Sequence, residues 1–451
     1  MALLEVLKNT MSRVLRDGET EIKELTQDIQ KEVDRDLADA QTHVMEFLDH
    51  LKTSVIENPE PIFAILRMIK PILLVKNYAI VTRFEDVQEV LSRDDVFQVT
   101  YAEKMKVTTG GQNFFLGMQN SPEYERDVTH MRSAIRREDV ATIISFVQET
   151  ARLLVAKSGG QLDTVKQLAQ VVPVRLISQY FGCPPKSETD LAAWASTIFQ
   201  YLFADLNNDP AVDRAAREAA AKTRDYLDLT IATRKSRPSG KDDVLGRCLA
   251  MQQAGFPGMD DLAIRNNLLG LIVGAIPTTS KCCAQALDQI FNRPAQLAAA
   301  QAAASAGDDA LLARYVFEAL RFNPNNPALF RLTAEDYQLA KGHIHGEKIV
   351  KGTIVVAVTQ SAMFDGDKVD APNEFRTDRP PYIYMHFGYG LHSCFGRYIN
   401  QAQIPGILKP LLASKSLRRA SGDAGKLQVV GPFPSSLVVN FDVATAGAGR
   451  G

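Results

Sequence analysis

The chain has 451 residues, 45% hydrophobic and 23% charged, with 51 basic and 53 acidic side chains and a formal net charge of -2. That composition excludes a disordered, collagen-like or low-complexity chain, and the near-balance of charge gives no reason to expect nucleic acid as a partner. The five cysteines, Cys183, Cys248, Cys282, Cys283 and Cys394, are odd in number and include no C-x-x-C pair. They argue for free thiols in a reducing compartment, and all but Cys394 read as small buried apolar residues. The first residues carry charge too early for a secretory signal, and no run approaches the roughly 20 apolar residues of a spanning helix. The expectation is a soluble, cytoplasmic chain with no transmembrane segment.

In chain order, apolar residues first recur every three or four positions, through Ile22, Leu25, Ile29, Val33, Leu37, Ala40, Val44, Phe47, Leu51 and Val55. This is one long amphipathic helix or two in series. Packing on the body of its own chain is the simplest use of that stripe; a dimer seam and a membrane-surface face are the alternatives. Asn58-Pro-Glu-Pro61 ends the helix, because proline cannot continue it. Tyr78 to Thr82, rich in β-branched residues, reads as a strand and Phe84 to Leu91 as a short helix. Gly110-Gly111 marks a loop and Asn113 to Gly117 an apolar island. From Glu123 to about Asn292 the pattern is helical, broken at Gly159-Gly160, Gly182 to Pro185, Asn207 to Pro210, Pro238 to Gly240 and Gly255 to Gly258. A further helix covers Asp308 to Arg321. Short β-like pieces follow between Leu332 and Val358, near Leu427, and from Leu437 to Phe441. Many helices with a few small sheets place the chain as mainly α with small β-sheets, an α+β class.

The run Phe387-Gly-Tyr-Gly-Leu-His-Ser-Cys-Phe-Gly396 surrounds one cysteine with three glycines. Glycine lets the backbone approach a flat ligand and adopt turns closed to other residues. Backbone N–H groups turned toward the sulfur, and the positive end of a helix beginning at Arg397, would stabilise a thiolate. A thiolate is the metal-binding form, and on haem iron it pushes electron density toward bound oxygen. The pattern F-G-x-G-x-H-x-C-x-G resembles the haem-binding loop of the cytochrome P-450 superfamily, soluble bacterial members in particular. The resemblance implies a triangular, prism-like helical body around a buried haem b (iron protoporphyrin IX). Cys394 would be the axial ligand, Phe387 would pack near the sulfur, and His392 would stand at a haem propionate, with Gly396 and Ala275 also against the cofactor.

The resemblance runs from about Tyr78 to Val443 and organises further residues. Glu318-Ala-Leu-Arg321 sits on one helical face, so the two side chains can pair. In the family such a pair is buried and locks the segment before the cysteine loop, with Arg376 the candidate third partner here. Arg331 stands where an arginine pairs with a propionate, to which a guanidinium can donate twice. His130 and Arg132, on a helix from Tyr124 to Arg137, are further propionate candidates, a solvated basic face being the alternative. The division implied is an N-terminal helical extension over 1–56, a haem-thiolate catalytic domain over 57–443, and a flexible tail over 444–451.

One stretch departs from the family pattern. The helix from Asp261 to Asn292 should cross the oxygen-binding side of the haem, and its centre reads Gly274-Ala-Ile-Pro-Thr-Thr279. Thr278 keeps the alcohol of the usual proton relay, but Pro277 stands where an acid is usual. Proline has no N–H, so the Val273 carbonyl should lose its partner and the helix should kink or widen. The leading expectation is insertion of oxygen into an apolar small molecule using dioxygen. No flavin or iron–sulfur module fits in the chain, so electrons would come from a ferredoxin or flavodoxin with its reductase, docking near Arg397. The missing acid keeps open a peroxygenase or a haem enzyme that rearranges hydroperoxides or endoperoxides. A non-catalytic haem sensor is the alternative of another class, and a zinc site at His343 and His345 is the weakest. Phe114, Phe115, Leu116, Ile272, Val273, Leu329 and Phe433 are the pocket candidates by position.

Overall fold

A computed structural model describes residues 60–112, 114–205 and 208–442; the amphipathic stripe from Ile22 to Val55 and the tail over 444–451 lie outside them. The helices are α1 (Glu60–Ile69), α2 (Phe84–Ser92), α3 (Ala102–Thr109), α4 (Pro122–Ala134), α5 (Val140–Lys157), α6 (Val171–Gln179), α7 (Glu188–Phe199), α8 (Pro210–Ser236), α9 (Val244–Gln253), α10 (Asp261–Phe291), α11 (Pro294–Ala306), α12 (Asp309–Phe322), α13 (Thr359–Ala362) and α14 (Arg397–Leu412). Their starts follow local chemistry. Ser121 accepts the Tyr124 N–H with Pro122 at the first position of α4, and Asp260 and Asp308 cap α10 and α12 by accepting the N–H groups of Ala263 and Leu311. Among the described residues no helix is long and apolar enough to cross a membrane.

A five-stranded sheet flanks the helical body. Its strands are β1 (Ile72–Val75), β2 (Tyr78–Val81), β3 (Phe97–Val99), β4 being reserved for Gln161–Asp163 in a second sheet, then β5 (Leu329–Thr333) and β8 (Ile354–Ala357), with a hairpin of β6 (Tyr337–Leu339) and β7 (Glu347–Ile349) between those two. The order is β1-β2-β8-β5-β3, with β2 and β8 parallel and the other pairs antiparallel. Register sets Val99 opposite Arg331 and Arg331 opposite Val355, which fixes where that arginine leaves the sheet. The β6–β7 hairpin pairs Tyr337 with Ile349 and Leu339 with Glu347, and His343 and His345 lie in its loop. His345 Nε2 lies 3.1 Å from an Asp86 carboxylate oxygen, and among the described residues no cluster of three metal-ligating side chains forms. The zinc reading is thereby set aside.

Helix α10 runs through the centre and packs against α7, α8, α12 and α14. It continues through Pro277 without interruption, so the expected kink does not break it. Two buried polar clusters hold the elements around it in place. In the first, the Thr279 hydroxyl donates to Asn400 Oδ1 at 3.1 Å and accepts from Gln403 Nε2 at 2.8 Å, tying α10 to α14. In the second, Glu318 and Arg321 of α12 have no solvent exposure. Arg321 donates to both Glu318 oxygens at 3.1 and 2.8 Å, and the same carboxylate accepts from Arg379 Nε at 3.1 Å, the Arg376 backbone N–H at 3.0 Å and the Tyr384 hydroxyl at 2.8 Å. Arg379, not the Arg376 side chain, is thus the third charged partner. Arg376 turns outward to Asp370 and Asp378. The second positive charge is spread over backbone carbonyls: Arg321 reaches those of Met363, Pro372 and Glu374, and Arg379 those of Ala371 and Glu374.

Both clusters yield expected outcomes. Glu318→Ala leaves two buried guanidiniums without an acid and should cost about 3–5 kcal/mol of stability; an unchanged midpoint in denaturant unfolding would contradict the buried network. Thr279→Val removes one donor and one acceptor but keeps the shape, leaving Asn400 and Gln403 only their bond to each other. It should lower stability by about 1–3 kcal/mol, measured by the same unfolding curve.

Candidate active site at the cysteine loop

The segment from Tyr384 to Gly396 leaves the Glu318 cluster and turns back on itself before α14. The Cys394 N–H donates to the Phe387 carbonyl at 2.7 Å, and Ser393 N–H to the Gly390 carbonyl at 3.1 Å, so the strand-like entry and the cysteine face each other across the turn. Gly388 and Gly390 both take positive φ, at 70° and 69°. At Gly390 a Cβ would stand 2.2 Å from the Leu91 carbonyl oxygen, so only glycine lets the loop rest on the end of α2. Phe387 packs on Phe317 of α12, and Phe395 on Phe115, with ring centroids 5.9 and 5.2 Å apart.

Cys394 is deep in the molecule, yet its surface is open to a large internal cavity. Burial pushes its thiol up to about 11, while the Gly396 N–H and the Arg397 guanidinium pull the other way. A cation at the sulfur would favour the thiolate, as those two groups already do. The cavity has a volume of about 970 Å³, at the upper end of ligand pockets. Gly274, Ala275 and Thr278 of α10 line it, with Arg331, Phe387, His392 and Gly396. A Cβ at Gly274 would meet no atom within 4 Å, so the helix leaves open space there. The Thr278 hydroxyl donates to the Gly274 carbonyl, which brings the side chain back along the helix wall.

Arg331 and His392 form the polar end that a bound dianion would need. Arg331 is buried and donates to the Phe330 carbonyl at 2.9 Å, with no carboxylate partner among the described residues. His392 keeps Nε2 near the Gln119 amide oxygen at 3.4 Å and leaves Nδ1 without a partner. Burial, and then the neighbouring Arg331 charge, push His392 down to about 4. Carboxylates placed between the two would relieve both the orphaned nitrogen and the repulsion. Together with a cysteine sulfur facing the cavity and open space at Gly274, this donor set fits a haem.

The structure gathers Cys394, Phe387, His392, Arg331, Gly396, Ala275, Thr278, Leu329 and Leu116 on this cavity. It does not bring the other predicted residues to it. Pro277 is buried behind the helix wall. Ile272 and Val273 are buried on faces of α10 turned from the cavity, which is lined instead by Gly270, Leu271, Gly274 and Ala275. Phe114 packs on Gly270, where a Cβ would lie 2.1 Å from its ring, and Phe115 packs on Phe395. Phe433 meets Phe199 edge-on, with ring centroids 5.7 Å apart, leaving Pro432 and Pro434 on the wall. His130 rests its ring on Phe256 at 5.4 Å, and Arg132 is exposed. Cys282, read as a core residue, lines the cavity, as do Lys281 and Gln285. A helical wheel phased on Thr278 selects all three, because they follow it at three- and four-residue steps.

Residues 60–415 match the family model described as Cytochrome P-450. The chain is 25% identical over 294 residues to erythromycin C-12 hydroxylase of Saccharopolyspora erythraea, spanning 65% of this chain and 70% of that protein. It is 24% identical over 260 residues to a steroid C26-monooxygenase of Mycobacterium tuberculosis, spanning 58% of this chain and 64%, just under two thirds, of that one. Among solved structures it is similar to CYP109E1 from Bacillus megaterium in complex with testosterone, with a TM-score of 0.72 and 20% identity over 86% of this chain and 98% of the other. That likeness bears on the fold, and it agrees with the mainly helical body and small sheets. With the family model spanning most of its length and a donor set that suits the family's cofactor, this chain belongs to the cytochrome P-450 family of haem monooxygenases.

Proposed function

We propose that this enzyme inserts oxygen into a hydrophobic small molecule, using dioxygen and electrons from a ferredoxin or flavodoxin with its reductase. The observation that carries the reading is the Cys394 sulfur opening into a cavity whose far wall is apolar, including Leu176, Ile177, Phe181, Phe199 and Leu202. Haem bound through a cysteine thiolate supplies the activation of oxygen that no side chain provides. The chain's own residues hold, orient and shield. Arg331 and His392 would bind the propionates. The glycine at 274 leaves room above the cofactor, and the Thr278 hydroxyl sits on the wall beside that space. The apolar wall excludes water and orients the substrate.

For electron delivery, the start of α14 and the end of α4 form a basic surface. Arg397 is exposed, and the Arg137 guanidinium lies 5.9 Å from the ring of the adjacent Tyr398. Exposed Arg132 and Arg136 continue this charge along the chain before α5. Such a surface suits an acidic electron carrier.

A specific observation favours a second reading, in which hydrogen peroxide is the oxidant. Among the described residues no aspartate or glutamate lines the cavity, so the alcohol of Thr278 has no carboxyl group to pass protons to it. Turnover with peroxide needs fewer protons delivered through the wall. Pro277→Asp supplies a carboxyl one residue from Thr278 and restores the N–H that proline lacks. It should raise the ratio of donor-plus-dioxygen turnover to peroxide turnover by roughly tenfold or more. An unchanged ratio in a variant that keeps its haem would make Pro277 a residue of shape alone.

A further inference from the structure

The cavity carries more positive charge than the propionate end requires. Its permanent cations are Lys281, Arg293 and Arg331, and among the described residues no acid lines it. Arg331 faces His392 at the propionate end. Arg293 is held in place: it donates to the Gln289 carbonyl and side-chain oxygen, both at 2.8 Å, and lies 4.3 Å over the Phe322 ring. Lys281 is what remains. It projects from α10 one turn after Thr278 and lines the cavity, and its ammonium has no hydrogen-bond or ion-pair partner in the described structure. One turn further, Gln285 is buried and donates to Asn323 Oδ1 at 3.1 Å, while its own oxygen is unpartnered. This end of the cavity is therefore polar and incompletely satisfied, whereas the wall from α6 and α7 is apolar.

A charge kept from water without a counter-ion is costly, and proteins pair such groups. Burial lowers the Lys281 ammonium to about 8, so it remains mostly charged at neutral pH. One ammonium matches one negative charge; a phosphate would call for several convergent donors, which the wall does not offer. An occupant with a single anionic head and a hydrocarbon body fits both the lysine and the apolar wall.

We propose that Lys281 anchors the carboxylate of the substrate, and that the substrate class is a hydrophobic monocarboxylic acid. This rests on the reading of the cavity as a haem and substrate site. The acid pairs with Lys281, and its hydrocarbon lies along Leu176, Ile177 and Phe199.

The test is a binding titration of the haem-loaded enzyme, followed by the change in haem absorbance. The probes are a medium-chain fatty acid and its methyl ester, with the parent chain, Lys281→Met and Lys281→Arg. The parent should bind the acid at least roughly tenfold more tightly than the ester. Lys281→Met should lose that preference with ester affinity little changed, and Lys281→Arg should keep most of it. An equal preference in parent and Lys281→Met overturns the proposal, as does a parent with no preference for the acid. Loss of haem from Lys281→Met alone also overturns it, by assigning the lysine to a propionate. Haem content, read from absorbance before any probe is added, separates failure of the cavity reading, in which the parent itself holds no haem, from failure of the lysine's role.

Discussion

One carboxylate with no solvent exposure, that of Glu318, gathers Arg321, Arg379, Tyr384 and the backbone N–H of Arg376. A lone buried charge would be strongly unfavourable, but here each oxygen is saturated by donors, and the excess positive charge is absorbed by backbone carbonyls. The consequence is geometric. Arg321 and Arg379 both grip the carbonyl of Glu374, and Tyr384 enters the cysteine loop directly, so a rigid helix sets the path of an irregular segment. The loop must be irregular, because Gly388 and Gly390 take backbone conformations that present Cys394 to the cavity. Irregular backbone is held in place by such contacts rather than by a ladder of its own.

The same accounting of charge explains the cavity. Besides Arg293, which lies over the Phe322 ring, its wall has cations at two places and no acid among the described residues. At one, Arg331 and His392 oppose each other until an anion lies between them; at the other, Lys281 has no counter-charge at all. The Cys394 sulfur and the Thr278 face of α10 line the same cavity. On the proposed reading, an interior so arranged receives occupants that bring negative charge with them and lays a substrate's hydrocarbon along the apolar wall.

Much of this was legible in the sequence, for identifiable reasons. The glycine–cysteine run has chemistry that depends on adjacent residues, which singled out Cys394, and its resemblance to the family's loop placed Phe387, His392 and Gly396. Helical spacing said that Glu318 and Arg321 could pair; that the pair is buried came from the family resemblance, and the structure has both without solvent exposure. Arg379 was passed over for Arg376 because both lie in one irregular stretch, where spacing does not say which side chain turns inward; the observed answer uses the backbone of one and the guanidinium of the other. The pocket residues on α10 were misjudged by phase. Ile272 and Val273 are the more apolar choices, but in a helix buried on nearly every side apolarity does not mark the cavity face. The face runs through Thr278, and following it would have exposed Lys281, Cys282 and Gln285. His130 and Arg132 sit on the expected helix, α4, but turn toward Phe256 and solvent.

The proposed chemistry depends on Cys394 binding the iron of a haem as a thiolate in the cavity it faces. The most direct measurement is the absorbance of the reduced, carbon monoxide-bound protein, compared between the parent and Cys394→Ala at matched haem content. The parent should give the spectrum of thiolate ligation, and the variant should lose it, because Cys282, the other cysteine on the wall, belongs to a helix rather than to a loop with N–H groups turned toward its sulfur. A thiolate-type spectrum that persists in the variant would show that another residue holds the iron.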